Sequence, residues 1–170
     1  LAAEGQLPPP VTADGKRARP RMRIPVFKNN FIEKWFARAH PIAPGLWFGW
    51  VVILGLYVGV RDFGLLGVGI FALGVLTTTL IEYCLHRFLF HMTAHTKAQR
   101  LQLFLMHGYH HDFPNDPMRL VLPPIAIWPV AAIIAAVYYF ALGPYWLVAY
   151  GGTALGYIAY DWTHYYTHHF

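Results

Sequence analysis

LVLPPIAIWPVAAIIAAVYYFALGPYWLVAYGGTALGYIAY, residues 120–160, contains no charged side chain. At about 1.5 Å of rise per residue, about 20 residues cross a hydrocarbon core. This run is therefore too long for one span. Gly143-Pro144 is the natural place for it to turn. Upstream lie two more charge-free runs, Pro41–Val60, ended by Arg61-Asp62, and Phe63–Ile81, ended by Glu82. The reading is four spans, at roughly 43–60, 64–84, 122–142 and 145–165. The expected fold is all-α: an integral membrane four-helix bundle of two transmembrane hairpins, turning at Arg61-Asp62 and at Gly143-Pro144. Glycines in the spans (Gly64, Gly67, Gly69, Gly74, Gly151, Gly152, Gly156) are read as packing residues, since small residues let helices approach closely in lipid. Trp47, Trp50, Trp128, Tyr145, Trp146 and Trp162 near span ends fit interfacial anchoring.

Composition agrees with a lipid solvent. Of the 170 residues 56% are hydrophobic and only 12% charged, about half the usual soluble share. One cysteine, Cys84, excludes an internal disulfide framework. The net charge of +5 resides in the first 40 residues, where Lys16, Arg17, Arg19, Arg21, Arg23, Lys28, Lys34 and Arg38 face Glu4, Asp14 and Glu33. A basic arm just before an apolar span reads as a cytoplasmic positive-inside signal rather than a nucleic-acid site. Two domains are expected: a basic arm, 1–40, disordered over 1–26 with a possible interfacial helix over 27–39, and a membrane domain, 41–170. The opening residues are Pro-rich and polar, so no cleavable signal is read there, and a first residue other than Met suggests a cut N-terminus.

Seven histidines fall in three clusters at span ends: His86 and His91; His107, His110 and His111; His164 and His168. With the arm in the cytoplasm, two out-and-back hairpins bring all three clusters to the cytoplasmic side. Neutral imidazole is the commonest protein metal ligand. His107, His110 and His111 share one helical face at i, i+3, i+4, as do His164 and His168 at i, i+4. His169 points about 100° away. His86 and His91, five apart, need a distorted helix or two different metals, which favours a dinuclear site. Glu82 and Asp161 share the faces of His86 and His164 and would orient them; Asp112 and Asp116 serve similarly beside the middle cluster or pair with Arg87, Arg100 or Arg119. His40 and His95 have no helical partner and are read as structural.

Glu82-Tyr-Cys-Leu-His-Arg-Phe-Leu-Phe-His91, Met106-His-Gly-Tyr-His-His111 with Pro114, Asp116 and Arg119-Leu-Val-Leu-Pro-Pro124, and Gly156-Tyr-Ile-Ala-Tyr-Asp-Trp-Thr-His-Tyr-Tyr-Thr-His168 together resemble the fatty acid 2-hydroxylases, within the membrane fatty acid hydroxylase and sterol desaturase superfamily. The resemblance covers about residues 41–170. It implies a two-iron oxidoreductase, with zinc possible in purified protein, that uses O2 to hydroxylate C2 of long-chain fatty acids or sphingolipid acyl chains. Electrons would come from NAD(P)H through a reductase or cytochrome b5-type donor; the arm is too short to be a fused cytochrome, so that partner is expected to be separate. The seven histidines match the family's ligand positions. The family's last His-x-x-His-His cluster would follow Phe170, so the sequence reads as truncated and is expected to be inactive alone. The implied location is the endoplasmic reticulum in a eukaryote or the cytoplasmic membrane in a bacterium. Rival readings are a sterol or lipid desaturase or carotenoid hydroxylase of the same superfamily, a non-catalytic metal-binding membrane protein, and a bis-histidine cytochrome. The last needs histidines within the hydrocarbon, and residues 43–80 and 120–160 hold none.

Overall fold

The computed structural model describes residues 27–90, 92–109 and 116–169. The described residues are helical, with no strand among them. In chain order come α1 (Asn30–Trp35), α2 (Ala43–Cys84), a π-helix (Leu85–Phe90), α3 (Lys97–Leu103), a second π-helix (Phe104–Gly108), α4 (Pro124–Leu142), a 3-10 turn (Gly143–Tyr145) and α5 (Trp146–His169). Asn29 caps α1 by accepting from the N–H groups of Phe31 and Ile32. A reciprocal Thr96–Gln99 capping box starts α3.

Two continuous helical stretches, Ala43–Phe90 and Pro124–Thr167, are long and apolar enough to cross a membrane. Each is broken by a glycine with positive φ, Gly64 at 56° and Gly143 at 53°. A side chain there would be strained, because Cβ crowds the following carbonyl in left-handed backbone. Across Gly64 the chain doubles back: a Cβ placed on Gly67 would collide with the carbonyl oxygen of Gly59. Those residues would lie about 12 Å apart on a straight helix.

The first turn departs from the sequence reading. The helix runs through Arg61 and Asp62 and reverses at Gly64. Arg61 Nε donates to Asp62 Oδ1 at 2.5 Å and its Nη2 to Oδ2 at 2.7 Å. The bonded pair self-neutralises without ending the helix. Gly64 and Gly69 are not packing residues, since a Cβ on either meets nothing within 4 Å. The second turn falls on Gly143-Pro144 as expected.

α5 is the centre of the assembly. Gly74 lies against Ala149 and Thr153, and Thr78 against Gly156, so α5 runs parallel to the second half of α2. Gly55 meets Leu147 and Gly151, the Phe48 ring meets Tyr157 edge-on at 5.6 Å, and Gly45 meets Trp162, so α5 runs antiparallel to the first half. Polar side chains add directional bonds deep in the contact: Thr78 Oγ1 donates to the Thr153 carbonyl at 2.9 Å, and Thr153 Oγ1 lies 3.1 Å from Tyr138 Oη on α4. The core holds Phe48, Val51, Ile127, Ala154, Tyr157 and Ile158. The outward faces are the reverse of a soluble protein: Leu65 is 88% exposed, Phe140 84% and Ile53 73%. Such an apolar exterior is suited to lipid tails rather than water.

The end of the helices that carries the histidines is tied together by the chain around α1. Ala39 N–H donates to the Met118 carbonyl at 2.9 Å, and Ile125 N–H to the Phe36 carbonyl at 3.2 Å. Trp162 Nε1 donates to the Pro41 carbonyl at 2.9 Å.

Candidate metal centre

The second half of α2 does not end as an α-helix. From Leu85 to Phe90 it widens into a π-helix that carries His86. Its bonds span i→i+5, the same step that separates His86 from His91 in sequence. A distortion is what that spacing asked for; His91 itself lies outside the described residues. His107 also sits on a π-helix, Phe104–Gly108, rather than on the α-helix from which its i, i+3, i+4 face was read. π-turns within helices occur frequently at functional sites.

The two π-helices bring one histidine of each of the first two clusters together. The rings of His86 and His107 lie 4.8 Å apart at 82°, and Phe90 stacks on His107 at 5.2 Å. The third cluster arrives by register. Thr78 lies against Gly156 on the parallel helices, and His86 and His164 each follow by the same number of residues, which brings them level. The His164 ring lies 5.9 Å from Tyr160. His168 is in α5, but its side chain lies outside the described residues, as do His110, His111 and Asp112. Among the described residues no group of three or more His, Cys, Asp or Glu side chains is gathered to hold a metal. His40 is exposed and its Nδ1 accepts from the Ile42 N–H at 3.2 Å; the His95 N–H donates to Gln99 Oε1 at 2.9 Å, inside the α3 cap.

The carboxylates behave in two ways. Glu82 and Asp161 lie close enough to act electrostatically on each other. Asp161 is 4% exposed and lies beside the Tyr157 phenol, and among the described residues its Oδ2 has no partner at full hydrogen-bond geometry. A buried orphan oxygen costs about 1–3 kcal/mol, which is offset when an imidazole N–H or a ligand donates to it. Asp116 instead belongs to a buried charge network. It accepts from the Met118 N–H at 3.1 Å, and its Oδ2 lies 3.4 Å from Tyr109 Oη and 3.9 Å from Arg119 Nε. Arg119 stacks on the Tyr109 ring at 4.1 Å and donates from Nη2 to Glu33 Oε1. Glu33 also accepts from Arg38 Nε at 3.1 Å and the Phe27 N–H at 3.1 Å. Tyr109 stands between His107 and His110 in sequence, so the network ties the middle cluster to α1. Sequence reasoning did not assign Glu33, Tyr109 or Tyr157. The one available signal was Glu33, a lone acid amid the basic residues preceding an apolar span.

Between the helices, with Phe90 at one end, is an apolar cavity whose empty space, part of it open to the outside, is about 590 Å³. Phe90, Leu85 and Glu82 line its histidine end, and all four long helical segments contribute to its wall. Phe90, which stacks on His107, therefore joins the cavity to the imidazoles.

The donor chemistry fits a metal centre: two neighbouring imidazoles, His86 and His107, joined through Phe90 to an apolar cavity that Glu82 also lines. Fold and site define an all-helical, histidine-bearing protein whose long apolar stretches are able to cross a membrane. No family model matches the chain. It is 43% identical over 107 residues to a rat fatty acid 2-hydroxylase, covering 59% of this chain and 28% of the relative. It is 44% identical over 107 residues to a dihydroceramide fatty acyl 2-hydroxylase of Arabidopsis thaliana (59% and 43% covered), and 38% identical over 154 residues to a ceramide very long chain fatty acid hydroxylase of Saccharomyces cerevisiae (85% and 38%). A solved structure described as full-length Scs7p, with only its hydroxylase domain visible, matches with a TM-score of 0.76 at 33% identity, covering 82% of this chain and 55% of that one. The chain is thus similar to fatty acid and ceramide 2-hydroxylases at 38–44% identity. It spans less than half the length of these curated relatives.

Proposed function

We propose that this chain carries the core of a membrane oxygenase that hydroxylates C2 of long-chain fatty acids or sphingolipid acyl chains. The observation that carries the reading is the His86–His107 ring pair, joined through Phe90 to an apolar cavity, in a chain whose relatives bear fatty acid and ceramide hydroxylase names. The four segments separated by Gly64 and Gly143 form a transmembrane four-helix bundle, with the histidine end in the cytoplasm beside the basic arm. α1, with Phe31 63% and Trp35 60% exposed, lies along the headgroups.

His86, His91, His107, His110, His111, His164 and His168 are the proposed ligands of two metal ions, functionally iron. Nitrogen-rich sites bind Zn2+ more tightly than Fe2+ at equilibrium, so zinc in purified protein is compatible with an iron enzyme. Bound there, the metals supply the redox chemistry of O2 activation. The net reaction converts C2–H, O2, two electrons and two protons to C2–OH and water; the electrons come from NAD(P)H through a separate reductase or cytochrome b5-type donor. The chain's own residues do the rest. Glu82 and Asp161 accept imidazole N–H groups and fix ring orientation, while Asp116 acts on the middle cluster through Tyr109. Phe90 and Leu85 exclude water from the mouth, and the apolar wall holds the acyl chain while its polar head stays at the interface.

The test is expression of the full-length protein with a reductase system, followed by mass spectrometry of lipids for 2-hydroxy acyl chains. The expected product is lost on His110→Ala. A new double bond, or a hydroxyl elsewhere on the substrate, would overturn the assignment in favour of a desaturase, sterol or carotenoid reaction.

A further inference from the structure

The cavity has a direction. α5 and the second half of α2 run toward the histidines, whereas α4 and the first half of α2 run away from them. The lining residues farthest from the histidine end are thus the earliest on α5 and α2's second half, Tyr150 and Thr78, and the latest on α4, Ile134. Three separate helices agree on one floor. From mouth to floor the wall descends about 10 Å between Tyr157 and Tyr150, and about 12 Å between Ala126 and Ile134, by helical rise. Glu82 and Tyr157 bring carboxyl and phenol oxygens into the upper lining. The middle and floor are aliphatic and aromatic, apart from the Tyr150 phenol oxygen and from Thr78 and Thr153, whose hydroxyls already bond to backbone carbonyls. The floor therefore presents methyl groups and rings, and suits the methyl end of a chain. Ile134 and Tyr150 are only half-buried, so both can be resized without opening the α2–α5 contact.

The geometry points to Ile134 and Tyr150 as the residues that set acyl-chain length: the chain lies methyl end down on them, with its carboxyl-side carbons at Phe90 and the histidine pair. This inference rests on the proposed hydroxylation for its substrate class. It adds a direction, a depth and a selectivity filter. In a pocket with a fixed floor, each methylene that does not fit changes selectivity by about tenfold or more.

The experiment has two arms on the full-length protein. In the first, 2-hydroxy products are profiled by chain length. Ile134→Ala removes side-chain carbons from the floor and shifts the profile to longer chains, by about tenfold in the ratio of adjacent even-numbered lengths. Ile134→Phe shifts it to shorter ones, and Tyr150→Leu gives a longer-chain shift from the opposite wall. Ile133→Ala, on the outward face of α4 and 64% exposed, leaves the profile unchanged. In the second arm, a long-chain fatty acid with a diazirine at its methyl end is photolysed on the wild-type protein. The label is expected on peptides containing Ile134 or Tyr150, and an isomer with the diazirine beside the carboxyl is expected to label the Phe90 region. Hydroxylated product with the same chain profile in all Ile134 and Tyr150 variants overturns the floor. So does methyl-end labelling confined to other helices. Absence of any 2-hydroxy product from wild type counts against the proposed function, and the labelling arm still decides the cavity.

Discussion

Removing the Glu33 carboxylate tests whether α1 locks the histidine end of the bundle. The Glu33 and Arg119 side chains are 8% and 5% exposed. A buried ion that loses its partner destabilises by about 3–5 kcal/mol. Glu33→Gln leaves an amide oxygen in place, and Asp116 remains 3.9 Å from Arg119 Nε, so the expected cost falls to about 2–3 kcal/mol. Arg38 is 24% exposed, and Arg38→Ala is expected to cost about 1 kcal/mol or less. The assay is unfolding of the detergent-solubilised protein, run as a double-mutant cycle with Arg119→Met. When the carboxylate and guanidinium are removed together, no lone charge is left behind. The double variant should therefore be more stable than the two single losses combined imply, by about 1.5 kcal/mol or more. Additivity to within about 0.5 kcal/mol would refute the pairing as an energetic unit. It would leave α1 an ornament of the surface.

Gly152→Leu and Gly67→Leu drive a side chain into the backbone carbonyls of Phe71 and Gly59 and are expected to cost about 1–3 kcal/mol or more, whereas Gly69→Ala, with open space around it, should be neutral by the same unfolding measurement. Gly64→Ala puts a Cβ on a residue with φ of 56°; a loss of about 1–2 kcal/mol without change in the helical circular dichroism is expected. Asp161→Asn keeps the volume but withdraws a charged acceptor from the histidine end, and should lower metal retention about 10–100-fold, read by elemental analysis after dialysis against a chelator. Because imidazole ligands must be neutral, bound metal should be released as pH falls through the histidine range near 6.5 and retained above it; retention that does not change with pH would count against histidine ligation.

Much of the fold was legible because lipid punishes charge so severely. A charge-free stretch twice the membrane thickness has to fold back, and Gly143-Pro144 marks where. The first turn was misplaced onto Arg61-Asp62 because charges were taken as ends. Those two satisfy one another by paired hydrogen bonds, and the reversal waits for Gly64, the residue whose backbone tolerates positive φ. Within the site, spacing left open a distorted helix or two different metals for His86 and His91, and the chain widens into a π-helix at His86. Spacing missed that His107 also lies on a widened turn, because π-geometry depends on what the helix packs against.

By itself the sequence determined the helical class, the apolar lengths and the spacing of the three histidine clusters, since each follows from local pattern and from the cost of placing charge in hydrocarbon. Only the tertiary structure decided that His86 faces His107, that Glu33 meets Arg119 from 86 residues away, and that one cavity is lined by Phe90, Ile134 and Tyr150 together. These depend on the register of α5 between the two halves of α2. Close contacts across small residues fix that register, and no one-dimensional pattern encodes which glycine will meet which.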